Sequence, residues 1–185
     1  MSTPIRVVVL TVSDRCSRGE TVDTSGPGLC DLVREQLNAT VVHAECLPDE
    51  IEPLAAFFVH WSDARHQVDL LLSTGGTGLA PRDVTPEALR KVMQREHAGL
   101  MDLSRLRCYQ KTPRTYLSRG IAGTINRTLI ITLPGSPRGS REMLEAILDI
   151  LPHAVETLRG EVQDDGRPNL PDSAAVSGKV IRHDS

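Results

Sequence analysis

At 185 residues, with a formal net charge of −3 and 24% charged residues of both signs, the chain is long enough for one domain with a proper core. The charge balance gives no support for a nucleic-acid footprint or a membrane-surface helix. Cys16, Cys30, Cys46 and Cys108 are scattered without paired spacing, which argues against a zinc knuckle or a disulfide framework. With no signal peptide or run of spanning length, this points to a reducing cytoplasm.

In chain order, Ile5 to Val12 is a β-branched run ending at Ser13-Asp14 and predicts the first buried strand. The loop Arg15 to Gly28, with three glycines, Asp23, Thr24, Ser25 and Pro27, is too long for a mere connector. Cys16 within it is the one thiol whose setting could make it reactive. Leu29, Leu32, Val33 and Leu37 give a helical stripe stopped at Asn38, and Thr40 to Leu47 predicts the second strand. In Pro48-Asp49-Glu50-Ile51-Glu52, the spacing of Asp49 and Glu52 is that of a capping box, and a cap alone would account for Asp49. Leu54, Phe57, Phe58 and Trp61 then mark an amphipathic helix.

Val68 to Ser73 predicts the third strand, apolar enough to be buried on both faces of a parallel sheet. It ends where Gly75, Gly76 and Gly78 fall within four residues. Glycines permit positive φ and leave no Cβ between their amides and a ligand, so this loop could lay N–H groups on phosphate oxygens. A bare turn is the alternative. Thr85 reads as an N-cap, with Pro86 at the first helical position and Glu87 in the first turn. Neither better-known phosphate signature occurs: Gly178-Lys179 is followed by Val180, and Gly26-Pro27-Gly28 by Asp31 where a last glycine should stand. Asp49 follows the second strand as Asp83 follows the third; parallel strands deliver both loops to one edge, so the two carboxylates could converge on one ligand.

Ala88, Leu89, Val92 and Met93 continue a helix that Gly99 breaks, and Leu100 to Cys108 a second, closed by the basic segment Lys111 to Arg114. Tyr116 to Arg119 and Thr128 to Leu133 read as antiparallel strands around a turn at Gly120 to Arg127, making the sheet mixed. Leu133-Pro134-Gly135-Ser136 opens a helix running to Arg159, with Pro152 as a kink. Beyond Gly160 the chain is polar and aperiodic, with only Val176 to Ile181 able to pair as a strand.

Thr11-Val12-Ser13-Asp14, Asp23-Thr24-Ser25-Gly26, Pro48-Asp49-Glu50, Ser73-Thr74-Gly75-Gly76-Thr77-Gly78 with Pro81-Arg82-Asp83-Val84-Thr85-Pro86-Glu87, Leu117-Ser118-Arg119 and Leu133-Pro134-Gly135-Ser136 occur in the order and spacing of the molybdopterin-binding family. Over residues 5 to about 159 the chain resembles the bacterial MogA and MoaB proteins and the N-terminal domain of gephyrin. The resemblance implies a three-layer α/β/α fold and a homotrimer; together with the polar composition beyond Gly160 it divides the chain into a molybdopterin-binding domain over 1–159 and a tail over 160–185. It implies transfer of AMP from ATP to the terminal phosphate of molybdopterin, with release of pyrophosphate and hand-over to a molybdenum-insertion protein. By matching position, Asp49 and Asp83 are the essential carboxylates and hold Mg²⁺. Gly75, Gly76, Thr77 and Gly78 hold phosphates, and Ser13, Asp14, Thr85, Ser118, Gly135 and Ser136 complete the pterin and nucleotide site. A non-catalytic molybdopterin carrier and a trimeric scaffold module are the alternatives within the same fold. Asn126-Arg127, where relatives often carry glycine, is a local departure.

Overall fold

Side chains alternate across a strand, and in the central strands of this chain both alternating sets are apolar, so both faces of the sheet must be covered. The computed structural model describes residues 3–161. Its strands are β1 (Ile5–Val12), β2 (Ala39–Leu47), β3 (Leu70–Thr74), β4 (Arg95–Glu96), β5 (Ala122–Ile125) and β6 (Thr128–Leu133), in the order β2-β1-β3-β6-β5-β4. The β1, β2, β3 and β6 pairings are parallel, whereas β5 pairs antiparallel with β6 and β4 with β5. The helices are α1 (Asp14–Ser17), α2 (Ser25–Gln36), α3 (Ile51–Trp61), α4 (Thr85–Val92), α5 (Ala98–Cys108), α6 (Pro137–Glu145) and α7 (Leu151–Arg159).

Val7, Val9, Leu70, Leu72, Leu129 and Ile131 pack on one face under α2, α5, α6 and α7. Val8, Leu10, Leu71 and Ile130 pack on the other under Leu54 and Phe58 of α3 and Leu89 of α4. The result is the expected three-layer, mostly parallel arrangement with an antiparallel edge. Because β1, β3 and β6 are parallel neighbours, the loops after β1, β2, β3 and β6 leave at the same rim.

Several local expectations are corrected. The antiparallel partner of β6 is not Tyr116–Arg119 but Ala122–Ile125, inside the expected turn; Pro113–Leu117 is a 3-10 helix. Tyr116 and Leu117 are exposed, so their bulk reflects surface rather than strand. Asn126 forms the hairpin turn with φ of 53°, a left-handed position asparagine tolerates where glycine would otherwise be favoured. Gly99 sits in the first turn of α5 instead of breaking a helix, and the short β4 precedes it. The loop after β1 already holds α1, and α2 begins at Ser25, so Gly26-Pro27-Gly28 are helical. The last helix is two, with Pro152 starting α7 rather than kinking a single rod. Thr85 is the first residue of α4 and makes no capping bond. The expected tail, apart from Gly160 and Glu161, and the strand at Val176 to Ile181 lie outside the described residues.

At the opposite rim, Asp69 receives Arg159 Nε at 2.8 Å and Nη2 at 2.7 Å, and the Arg6 amide at 2.8 Å. The two side chains are only 13–14% exposed. Removing one partner of a buried pair strands the other charge. Asp69→Ala should therefore cost about 3 kcal/mol or more, read as a lowered urea midpoint; a loss under about 1 kcal/mol would show that the pair holds nothing together.

Candidate active site

The site is built where β3 runs into its glycine loop. Gly75 and Gly76 have φ of 107° and 62°, the left-handed region that side chains resist. Space forbids a side chain as well: a Cβ on Gly75 would collide with the Val12 carbonyl, and one on Gly76 would strike the Thr85 hydroxyl and lie 2.7 Å from Asp49 Oδ1. Thr85, fully buried, donates its hydroxyl to Gly75 O at 2.9 Å and its amide to Gly76 O at 3.0 Å. It therefore staples the loop to α4, which is why it is not free to cap. The Gly75 amide is spent on Leu133 O at 3.0 Å, which corrects the expectation that it faces a ligand. The amides of Gly76, Thr77 and Gly78 have no hydrogen-bond partner among the described residues.

Arg119 fixes the same loop from outside. Its Nε donates to Gly78 O at 2.7 Å and its Nη2 to Asp83 O at 2.6 Å, while Nη1 pairs with Glu87. Arg105 in turn donates to the carbonyls of Ser118 and Gly120, on either side of Arg119. Asp83 closes its own turn by accepting from the Ala80 amide at 2.9 Å. A Cβ on Gly78 would lie 2.8 Å from Asp83 Oδ2, so this carboxylate stands beside the loop as Asp49 does.

The β2–α3 turn carries Asp49. Its Oδ2 accepts from the Asp14 amide at 3.2 Å, and its own amide donates to Asp14 Oδ1 at 3.1 Å. Asp49 does not cap α3, whose N-cap is Glu50, and Glu52 points away to Lys91; the capping-box alternative falls. Asp14 is held by Arg82 at 2.8 and 3.0 Å, so Arg82, Asp14 and Asp49 tie together the loops after β1, β2 and β3. The Arg82 hydrogen bond holds the Asp14 carboxyl below its ordinary value against the opposing effect of burial. Burial pushes Asp49 up, and the charges of Asp14 and Asp83 add to it against the Asp14 amide bond.

Asp49 and Asp83 line one cavity of about 360 Å³, together with Ser13, Cys16, Asp23, Gly75 and Gly76. Ser13 caps α1 by accepting from the Cys16 amide. Cys16 also meets Thr21 at 3.2 Å, and burial raises its neighbour Cys46 to about 11. Asp23 pins the wall by accepting from Thr11 Oγ1 at 2.6 Å and from the amides of Ser25 and Gly26. Ser118, Gly135 and Ser136 lie instead on a second cavity of about 540 Å³, with Thr77 and Gly78. Gly135 lines both cavities, and a Cβ there would lie 3.2 Å from Gly75 Cα. The cavities thus share Gly135, which lies against Gly75 of the acid-bearing one. Ser136 caps α6 by accepting from the Gly139 amide at 3.1 Å. Asp23, Arg82 and Arg119 stood within recognised motifs without a role; their function in bracing the loops is visible only in three dimensions.

Two carboxylates from separate crossovers beside unpaired amides suit phosphate chemistry. Mg²⁺ takes one or two carboxylates plus phosphate oxygens and water, and the donor set fits that ion. Among the described residues there is no group of three or more His, Cys, Asp or Glu side chains able to hold a metal by themselves, so phosphate oxygens would have to complete the shell.

Residues 8–153 match the family described as probable molybdopterin binding domain. The chain is 38% identical over 167 residues to the molybdopterin adenylyltransferase of Helicobacter pylori strain J99, covering 90% of this chain and 94% of that one. The crystal structure of the molybdopterin biosynthesis enzyme MoaB from Thermus thermophilus superposes with a TM-score of 0.79 at 47% identity, over 84% of this chain and 97% of that one. Gephyrin of Dictyostelium discoideum is 38% identical over 177 residues, or 90% of this chain, but the match spans only 24% of gephyrin's length.

A carboxyl whose pKa is higher folded than unfolded costs the fold stability when it ionises. That cost is absent below the unfolded value, about 3.9 for aspartate, and complete once pH passes the higher folded value. Asp49→Asn removes the charge and keeps an acceptor for the Asp14 amide. It should leave the ligand-free protein as stable as the parent or more so at about pH 7.5, an advantage that disappears near about pH 4 in urea melts. A variant less stable by more than about 1 kcal/mol at the higher pH would contradict the strain assigned to Asp49.

Proposed function

The chain belongs to the molybdopterin-binding domain family, and from that premise we propose that it is a molybdopterin adenylyltransferase of molybdenum cofactor biosynthesis. A terminal phosphate oxygen of molybdopterin forms a bond to the α-phosphorus of ATP. The bond from that phosphorus to the oxygen bridging to the β-phosphate breaks, and its electron pair leaves with pyrophosphate. The attacking phosphate is already largely ionised at neutral pH, so no general base is required. The protein's work is placement and charge neutralisation, as in phosphoryl transfer generally.

The observation that carries this reading is the meeting of Asp49 and Asp83 beside the glycine loop in one cavity. Asp49 and Asp83 would hold Mg²⁺, which when bound would neutralise charge on the nucleotide's phosphates. The amides of Gly76, Thr77 and Gly78 would hold phosphate oxygens. Thr85, Asp14 and Arg119 act through others: they fix the loop and the two acids. Ser13 lines the acid-bearing cavity, while Ser118, Gly135 and Ser136 line its neighbour. A carrier has no need of two metal-ligating acids, which favours catalysis over binding alone.

Self-association, as the expected homotrimer, is supported by exposed apolar groups at Leu106, Tyr109, Tyr116 and Leu117, with Tyr109 and Tyr116 edge to face at 5.8 Å. Hand-over of the product to a molybdenum-insertion protein follows from the chemistry of an activated adenylate, which needs a consumer. Among the described residues no helix is long and apolar enough to cross a membrane.

Protein supplied with molybdopterin, ATP and Mg²⁺ should release pyrophosphate. Asp83→Asn should reduce kcat on the order of 10²-fold or more while molybdopterin binding persists. Undiminished turnover in that variant would remove Asp83 from the reaction, and molybdopterin binding without pyrophosphate release by the parent would make the protein a carrier.

A further inference from the structure

The four cysteines divide by setting. Cys30 and Cys108 are buried in the core, at 6% and 3% exposure. Cys16 and Cys46 are only partly buried, and their side chains are hydrogen-bonding neighbours. Both are arranged around Ser13: the Cys16 amide donates to Ser13 Oγ at 3.2 Å, and the Cys46 thiol lies 4.0 Å from Ser13 O. The Ser13 amide donates to Leu47 O at 2.9 Å, so the start of α1 is seated against the end of β2. Cys16 lines the acid-bearing cavity and Cys46 stands behind it. Burial above all, with the charges of Cys16, Asp23 and Asp49 added, pushes the Cys46 thiol up to about 11, so it stays protonated at neutral pH. Serines could make the polar contacts of either residue. Two thiols side by side can do what serines cannot, which is to bond to each other.

We propose that Cys16 and Cys46 are a peroxide-reactive pair whose oxidation closes a disulfide between α1 and β2 and switches the site off. Cys16, the thiol on the cavity, reacts first. Its sulfur bonds to one oxygen of hydrogen peroxide, the O–O bond breaks, and the other oxygen leaves as water with the thiol proton, giving a sulfenic acid. The Cys46 sulfur then attacks the Cys16 sulfur, and the S–O bond breaks. That oxygen leaves as a second water carrying the Cys46 proton. Two thiols are oxidised and one peroxide is reduced. The S–S bond of about 2.0 Å brings together sulfurs that stand apart as free thiols. Cys16 must also leave Thr21, which its sulfur meets at 3.2 Å. The four-residue α1 moves with it, and its first residue is Asp14, whose carboxylate and amide hold Asp49. Closing the disulfide therefore loosens one of the two acids. The thiol chemistry is independent of the adenylyltransferase reading; the loss of turnover rests on that reading.

The test treats the reduced full chain with a small excess of hydrogen peroxide, denatures it in iodoacetamide and maps its peptides without reduction. The expected product joins the Cys16 and Cys46 peptides, while Cys30 and Cys108 are recovered alkylated. Hydrogen exchange in the peptides holding Asp14 and Asp49 should quicken about tenfold or more on oxidation. Pyrophosphate release should fall about tenfold or more, and dithiothreitol should restore both. Cys46→Ser removes the partner sulfur; reduced, it should turn over as the parent does, and oxidised, it should form no linked peptide. Cys46→Ala replaces it in the test if serine is poorly accommodated. Absence of the linked peptide in the oxidised parent, or linkage of Cys16 to any other cysteine, would overturn the pair. Linkage that leaves exchange or turnover unchanged would overturn the switch. A reduced parent that releases no pyrophosphate, yet links and exchanges as expected, would sink the adenylyltransferase reading and leave the thiol pair standing.

Discussion

The whole rim depends on how closely the backbone after β3 lies against the end of β1. At Gly75 the chain passes so near the Val12 carbonyl that a single carbon more would not fit. At Gly76 it passes between the Thr85 hydroxyl and the Asp49 carboxylate. That approach leaves the amides of Gly76, Thr77 and Gly78 without a partner among the described residues and brings an acid from a different crossover beside the loop. Hydroxyls then lock it: Thr85 to Gly75 O, Thr74 to Pro134 O at 2.7 Å, and Ser25 to Gly135 O at 2.9 Å. The first two tie the loop, or the strand leading into it, to α4 and to the loop after β6, and the third ties that second loop to α2, so the cradle is braced from several elements.

The electrostatics follow from the same crowding. Asp14 is satisfied by Arg82, but Asp49 is partly buried beside two other carboxylates, with one backbone donor among the described residues. Such a group is poorly accommodated as an anion until a cation joins it. Strain of this kind costs the ligand-free fold, and under the proposed function a bound cation would offset it. Arg119 acts on the opposite side, gripping the carbonyls of Gly78 and Asp83, so both acids are positioned through neighbours that do not themselves face the cavity.

Much of this was legible in the amino-acid order. β1, β3 and β6 are apolar on both alternating sets, and only a sheet covered on both faces accepts that. The loops carrying Asp49 and Asp83 follow parallel strands, so their shared rim could be read before any coordinates. β4 could not: it is two charged residues, Arg95 and Glu96, paired by backbone alone. β5, Ala-Gly-Thr-Ile, lacks the bulk that marks strands, while Tyr116 and Leu117 have that bulk but lie exposed on a 3-10 turn set by Pro113. Thr85 looked like a cap because its local sequence is that of one; tertiary contact with Gly75 claimed its hydroxyl instead.

The central claim is that two acids from separate crossovers hold one divalent cation over the amide cradle. Titration of Mn²⁺, a paramagnetic stand-in for Mg²⁺, in the presence of a non-hydrolysable ATP analogue tests it directly through the electron paramagnetic resonance signal of the free ion. The account predicts a single tight ion per parent chain, with affinity about 100-fold weaker when either Asp49 or Asp83 is changed to asparagine. Parent-like affinity in either variant would contradict it.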